Sequence, residues 1–454
     1  MPYISLDPAT NETLRTYPSW DSNHLASVLE QTGSVQRTWA QTTLPERADR
    51  MNRAAVLLHE RVNEYATLMA AEMGKPLREG RAEVEKCALA CDYYAVHAQH
   101  FMQIEVVQTD AGKSYVSYEP LGLVLGIMPW NFPFFQVIRF AAPSLMAGNA
   151  CVLKHASNVP QCAQALEQLF RDAGFPPHLF TALMIEASNV ADAIASPFVH
   201  GVTLTGSEAA GRKVAAQAGQ HLKKCVLELG GSDAFIILKD ADLDLAAGFA
   251  VKSRFQNCGQ SCIAAKRIIP VAEIAKEFLW LFIRKTAELK MGDPMSESTQ
   301  LGPMARLDLR EDLHQQVVDS IAQGAEPVLG CEPAPGKGAF YPPSILYGVT
   351  PKTRAYHEEL FGPVAAVIPA ANEEEAVHIA NDTRYGLGSS IWGRNTDHAE
   401  KIARQIQAGC SFVNGMVRSD PRLPFGGIKD SGFGRELSYH GIREFVNIKT
   451  VWIR

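Results

Sequence analysis

The chain has 454 residues, 46% of them hydrophobic and 20% charged, with a formal net charge of -6. That length exceeds one ordinary core and predicts two or three domains of an ordinary globular protein. The mild negative charge gives no electrostatic case for nucleic acid or an anionic membrane, and no segment reaches the roughly 18 apolar residues needed to span a bilayer.

The opening stretch "MPYISLDPATNETLRTYP" has no charged region followed by an apolar run, so it does not read as a signal peptide. From about residue 21 to 100, "HLASVLEQTGSVQRTWA", "PERADRMNRAAVLLHERVNEYATLMAAEMG" and "EGRAEVEKCALACDYYAVHAQHF" carry apolar residues at helical spacing. Cys87 and Cys91 fall four apart on the last of these. That spacing could hold a metal, but the neighbouring Ala and Leu favour a packed face, and no metal site is expected. Next, "VVQTDAGKSYVSYEP" alternates polar and apolar residues and reads as a strand outside the main series, as does the C-terminal "REFVNIKTVWIR".

From Gly122 onward, short apolar runs alternate with helical stretches. "LVLGIM", "ACVLK", "FTALMI", "GVTLT" and "CVLEL" read as buried strands, with helices between them. Unalternated strands of this kind predict a parallel sheet covered on both faces. A second series starts near Ala234 with "AFIIL", a helix over Leu243 to Phe255, "RIIPV", and a helix from Ile274 to Leu289. It continues through "AAVIPA" and "GSSIWG". The runs "EEEAVHIA" and "KRIIP" read as solvated faces. Nine cysteines lie mostly inside apolar runs, which fits thiols in a reducing compartment, so the cytoplasm is the expected location.

Two parallel α/β domains suggest a dinucleotide at the strand C-termini, yet G-x-G-x-x-G is missing. In its place "VTLTGSEAAG" gives a strand and then Gly206-Ser207 opening a helix, whose free N–H groups can receive phosphate. Taken alone, that pattern equally fits a tight turn and an N-cap. Asn131, in "PWNFPFFQV", follows a strand directly and is placed to hydrogen-bond a ligand at the sheet edge. Glu228, in "LELGG", ends an apolar strand, where an acid is costly unless used or paired. "FQNCGQSC" puts Cys258 and Cys262 four apart: a metal pair, a disulfide, or a nucleophile beside a bystander. No second Cys/His pair lies at finger-like spacing to support the first.

"PWNFP", "LTGSEAAG", "LELGG", "FQNCGQSC", "EELFGPV" and "PFGGIKDSGFGRE" stand in the order and spacing of the aldehyde dehydrogenase superfamily. The chain resembles that family from about Leu6 to its end, and most of all its succinate-semialdehyde branch. The resemblance implies an α/β fold of two parallel-sheet, Rossmann-type domains plus a small β oligomerisation element. Residues 1–103 and 121–230 would bind cofactor, 231–435 would carry catalysis, and 104–120 with 436–454 would join a homodimer or homotetramer.

The same resemblance makes Cys262 the nucleophile and Cys258 a bystander, although a disulfide between them could act as a reversible redox cap. It makes the Asn131 amide an oxyanion donor and Glu228 the base that activates water, so the product is a free acid. Relatives that pass the acyl group to coenzyme A lack this glutamate. For the cofactor, it implies Trp130, Lys154, Ser157, Gly206, Ser207, Glu359 and Phe361. Ser157, small and neutral beside Lys154, predicts NADP in preference to NAD. His155 stands where relatives often have Pro. For a small aldehyde substrate with a second carboxylate, it implies Arg139 and Ser419. Gln256 stands where some relatives of this branch carry a second Arg, and it supplies no charge. Glutarate semialdehyde, a neutral aldehyde, or a non-catalytic role are the alternatives the residues leave open.

Overall fold

The computed structural model describes residues 3–454. A hairpin of β1 (Tyr3–Leu6) and β2 (Thr13–Tyr17) precedes four helices, α1 (Ser22–Trp39), α2 (Leu44–Glu60), α3 (Val62–Met73) and α4 (Leu77–Phe101). β3 (Glu105–Val106) and β4 (Lys113–Pro120) come next. The first alternating series runs β5 (Leu123–Met128), α5 (Phe135–Met146), β6 (Ala150–His155), α6 (Pro160–Asp172), β7 (Phe180–Ala182), α7 (Val190–Ala195), β8 (Val199–Thr205), α8 (Glu208–Gln220) and β9 (Lys224–Glu228). The second opens with β10 (Asp233–Ile237), α9 (Leu243–Phe255), β11 (Ala265–Pro270), α10 (Ala275–Ala287), α11 (Leu307–Ala322) and β12 (Glu326–Leu329). It continues with β13 (Ser344–Tyr347), α12 (Arg354–His357), β14 (Val364–Val367), α13 (Glu373–Asn381), β15 (Gly388–Trp392) and β16 (Cys410–Val413). β17 (Gly432–Phe433) and β18 (Val446–Ile453) complete the order.

The first sheet runs β17-β9-β8-β5-β6-β7, parallel except for β17. The second runs β12-β13-β14-β11-β10-β15-β16, parallel except for β12. β6, β10, β11, β14 and β15 are buried along their whole length, which is why they read as unbroken apolar runs rather than alternating ones. Each sheet has its own core of buried side chains. β18, β4 and β3 form a separate antiparallel sheet, as the alternating sequence of its two longer strands predicts.

Several elements escape the sequence pattern. β2 exposes four of its five residues, and α11 buries only Leu313, Val317 and Ser320, too narrow a stripe to stand out. β17, inside the segment expected to belong wholly to the second domain, returns to pair with β9 at the edge of the first sheet. The "KRIIP" expectation is overturned: Lys266 and Arg267 are both 1% exposed, at the start of β11. Arg267 is stable there because its guanidinium donates to the Ser232, Ile379 and Ala380 carbonyls.

Candidate active site

In open parallel sheets, side chains that follow the strand C-termini converge on a crevice. Here β5 delivers Trp130 and Asn131, β8 delivers Gly206 and Ser207, and β9 ends on Glu228. The loop between α9 and β11 brings in Cys262 from the second sheet's side.

That loop is an unusual piece of backbone. Asn257, Cys258 and Gly259 follow one another in the left-handed region, at φ 55°, 54° and 68°. Strain of this kind persists only where the surroundings hold it. Arg254, fully buried, donates to the carbonyls of Gly259, Leu360, Gly362 and Val364. The Asn257 N–H donates to Glu79 at 2.7 Å, and the Asn257 amide reaches the Asn131 carbonyl at 2.7 Å. Gly259 lies against the Gly362 carbonyl, where no Cβ would fit.

Cys262 is partly exposed and its thiol is free. Burial of its surroundings pushes the thiol up to about 12, opposed by the charges of Lys266 and Arg139. Lys266 spends its three donors on the Ser261 carbonyl (2.7 Å), the Cys262 carbonyl (2.7 Å) and Glu359 (2.9 Å). One ammonium thus joins the loop of Cys262 to the loop of Glu359. Glu359 also accepts from the Gly231 N–H. Cys258 packs in the second core while Cys262 packs against the first, so the two thiols face different cores.

Asn131 is 3% exposed. Its amide donates to the Gln260 carbonyl at 2.9 Å, and its side-chain oxygen accepts from Gln136 at 3.2 Å, leaving one amide hydrogen for a ligand. Its loop is held from below by a buried pair, Lys75 and Glu83. Lys75 donates to the Asn131 carbonyl at 2.8 Å, and Glu83 accepts the N–H groups of Phe134 and Phe135. One trace of this pair is visible in the sequence: an acid at a core-facing position of α4, one residue before Val84.

Glu228 is 2% exposed, and neither carboxylate oxygen has a hydrogen-bond partner. Burial raises its pKa well above the carboxylate range; Glu436 adds to this, while Arg139 and Arg435 oppose it. Gly426 is glycine for a reason: a Cβ there would lie 2.7 Å from Glu228 Oε1. A protonated or proton-hungry carboxyl in a dry site can serve as a general base once a substrate or water presents a proton.

The cofactor expectations divide. Lys154 and Ser207 line a 610 Å³ cavity closed by Val190, Ala191, Ile194 and Val214. Lys154 donates to the His155 carbonyl at 2.8 Å, and burial pulls its pKa down to about 8. Ser207 is the N-cap of α8. The cavity's size, its apolar walls, one lysine and a 13-residue helix N-terminus fit a nucleotide. Ser157 is exposed and lines a neighbouring 450 Å³ cavity beside Asn158 and Arg306. Trp130 and Phe361 meet edge to face at 5.9 Å on the side of Glu359 and Cys262. The His155 departure has a structural account. Its ring accepts the Ala156 N–H at 2.9 Å and reaches the Pro133 carbonyl at 2.9 Å, tying β6 to the loop of Asn131.

Among the substrate expectations, Arg139 lies deepest. It is 3% exposed, and its guanidinium is committed to a buried ion pair with Glu436 and a 3.3 Å bond to Thr205. Its Nε faces the Glu436 carboxylate and one Nη donates to Thr205, which leaves the other Nη open to a further partner. Gln256 lines an 800 Å³ vestibule with Arg78, Ala82, Lys252 and Arg418. Ser419 lines an adjoining 300 Å³ cavity with Arg418 and Phe425, and accepts from Lys86, a residue the sequence reading passed over.

The aldehyde dehydrogenase family profile matches residues 2–451. A Synechocystis sp. protein named a probable NADP(+) succinate-semialdehyde dehydrogenase is 47% identical over 453 residues, covering 100% of both chains. The Escherichia coli protein named succinate semialdehyde dehydrogenase Sad, NAD(P)+ type, is 46% identical over 449 residues, covering 99% of this chain and 97% of that one. A solved structure of a succinic semialdehyde dehydrogenase from Streptococcus pyogenes, in complex with NADP+, superposes with a TM-score of 0.97 at 40% identity, over 99% of each chain.

Proposed function

The chain belongs to the aldehyde dehydrogenase family, and we propose that within it the protein oxidises succinate semialdehyde to succinate with NADP in preference to NAD. The observation that carries the chemistry is the convergence of a tethered, partly exposed thiol, one free Asn131 amide hydrogen and an unpartnered buried carboxyl on facing sheet ends. The Cys262 sulfur attacks the aldehyde carbon after its proton passes to a base, the role Glu228 is suited to. Charge develops on the aldehyde oxygen, where the Asn131 amide and the Cys262 N–H donate, so these donors act mainly in the transition state. The nicotinamide cofactor, when bound, accepts the hydride. Glu228 then activates water against the Cys262 thioester, releasing the acid.

Lys154, Ser157, Gly206 and Ser207 would hold the adenosine and phosphate portion, and Trp130, Glu359 and Phe361 the nicotinamide portion. The three-stranded sheet exposes Val106, Ile448 and Trp452, which fits assembly into a homodimer or homotetramer. Nine free thiols fit a reducing, cytoplasmic setting.

The test is cofactor reduction with succinate semialdehyde and with butanal, each with NADP and with NAD. Strong preference for the carboxylated aldehyde and for NADP is expected; equal turnover of both aldehydes would sink the substrate assignment. Glu228→Gln should cut steady-state turnover by about 10²- to 10⁴-fold while a thioester accumulates on Cys262, visible by intact mass. An unmodified, equally slow enzyme would remove Glu228 from the hydrolytic step.

A further inference from the structure

Glu79 stands in the first turn of α4, where an acid is ordinary because a helix N-terminus favours negative charge. Its carboxylate, however, reaches across to the loop of the nucleophile. It accepts the Asn257 N–H at 2.7 Å, 178 positions away, at the first of the three left-handed residues. From Asn257 the links run to both reacting groups. Its amide donates to the Asn131 carbonyl at 2.7 Å and to the Gln260 carbonyl at 3.1 Å. The Gln260 carbonyl also accepts from the Asn131 amide at 2.9 Å, and Cys262 follows two residues later.

A left-handed turn at non-glycine residues persists only when held from outside. Arg254 holds its far side, through the Gly259 carbonyl at 3.2 Å, and Glu79 holds its near side. The two holds differ in exposure. Arg254 is fully buried, whereas Glu79 is half-buried and lines the 800 Å³ vestibule beside Phe255 and Gln256. The charged or titratable groups around it are Lys75, Arg78 and Glu83 on its own side and Cys258 on the turn it holds. Lys252 of α9 and Arg418 line the same vestibule. Lys75 is already paired with Glu83, so the Asn257 N–H is the partner that fixes the Glu79 carboxylate.

We propose that Glu79 is a positioning residue of the reaction: its carboxylate, set in the vestibule wall, clasps the left-handed turn and so fixes the Cys262 sulfur against the Asn131 amide. This rests on Cys262 as the nucleophile and is independent of which aldehyde is oxidised. Burial raises the Glu79 carboxyl to about 7, opposed by the Asn257 N–H and by the charges of Lys75 and Arg78. Since that N–H favours the charged form, breaking the bond and taking up a proton favour each other. The clasp is therefore complete above neutral pH and weakens as pH falls through 7.

The experiment uses the full chain without aldehyde or cofactor, as wild type and as Glu79→Gln, whose neutral amide is the isostere of the protonated acid. Two rates are followed from about pH 6 to about pH 9: hydrogen exchange of the peptide spanning residues 255–262, and alkylation of Cys262 by iodoacetamide, located by peptide mass. Each is corrected for its intrinsic dependence on pH. In the wild type, exchange protection and alkylation rate should both fall about 3- to 10-fold as pH drops through 7, the difference between a charged and a neutral acceptor. In Glu79→Gln both should stay level at the wild type's low-pH value. A wild type level through 7 overturns the proposal. So does a step that persists in Glu79→Gln, because Asp233 or Glu228, both buried acids with raised pKa, would then carry it. Protection that steps while the alkylation rate does not leaves Glu79 a purely structural part and overturns the positioning role. Labelling of other thiols with Cys262 spared overturns the nucleophile reading and this proposal with it.

Discussion

At the reacting end of the cleft, Lys75, Arg254 and Lys266 each donate to backbone carbonyls or a carboxylate. At the far end, Lys86 has a hydroxyl and a ring but no anion. The first three are scaffold cations: their charge is balanced inside the protein, and what they do is fix the positions of loops. The fourth is half-buried and keeps part of its hydration. The first three are fully buried and Lys86 only half so, and exposure and partners together set them apart.

Removing the sulfur should have the largest effect on this contrast. Cys262→Ala should lower succinate-semialdehyde turnover by about 10⁴-fold or more, while the affinity for succinate, read by calorimetry, stays within a few-fold because the far end is intact. Loss of succinate binding would show that the two ends are one site. Next in size, Glu83→Gln should leave Lys75 buried without its counter-charge and cost about 3–5 kcal/mol of stability in urea unfolding. A cost below 1 kcal/mol would mean the pair does not support the Asn131 loop.

A smaller effect tests the His155 strut. Burial pulls its pKa from 6.5 to about 4, so the unfolded chain takes up a proton before the folded one does. Its contribution, up to about 3 kcal/mol, is therefore complete above pH 6.5 and is lost as pH falls from 6.5 through 4. His155→Gln should flatten the unfolding midpoint across that window; an unchanged slope would assign the acid sensitivity to other groups.

Much of this molecule was legible without coordinates. β5, β6, β8 and β10 announce themselves as apolar runs, and α9 as a helical stretch bounded by Asp242, because backbone hydrogen bonding and burial act over a few residues at a time. Asn131 and Glu228 stand out for a related reason, one following closely on a strand and the other an acid in an apolar run, whereas Cys262 is told from Cys258 only by the resemblance to the family.

The fate of the buried charges was not legible, because it depends on contacts between distant parts of the chain. Asn131 meets the Gln260 carbonyl 129 positions away, and Lys86 meets Ser419 across 333. "KRIIP" looks solvated in one dimension and is the buried root of β11 in three. Nothing near Arg139 in the sequence shows that β9 and the returning 425–436 segment bring Glu436 against it. Composition and periodicity determined which segments are strands, helices and candidate chemistry. Only the packing of the two sheets decided which charges are neutralised inside the protein, since the cost of a buried charge is settled by the atoms around it.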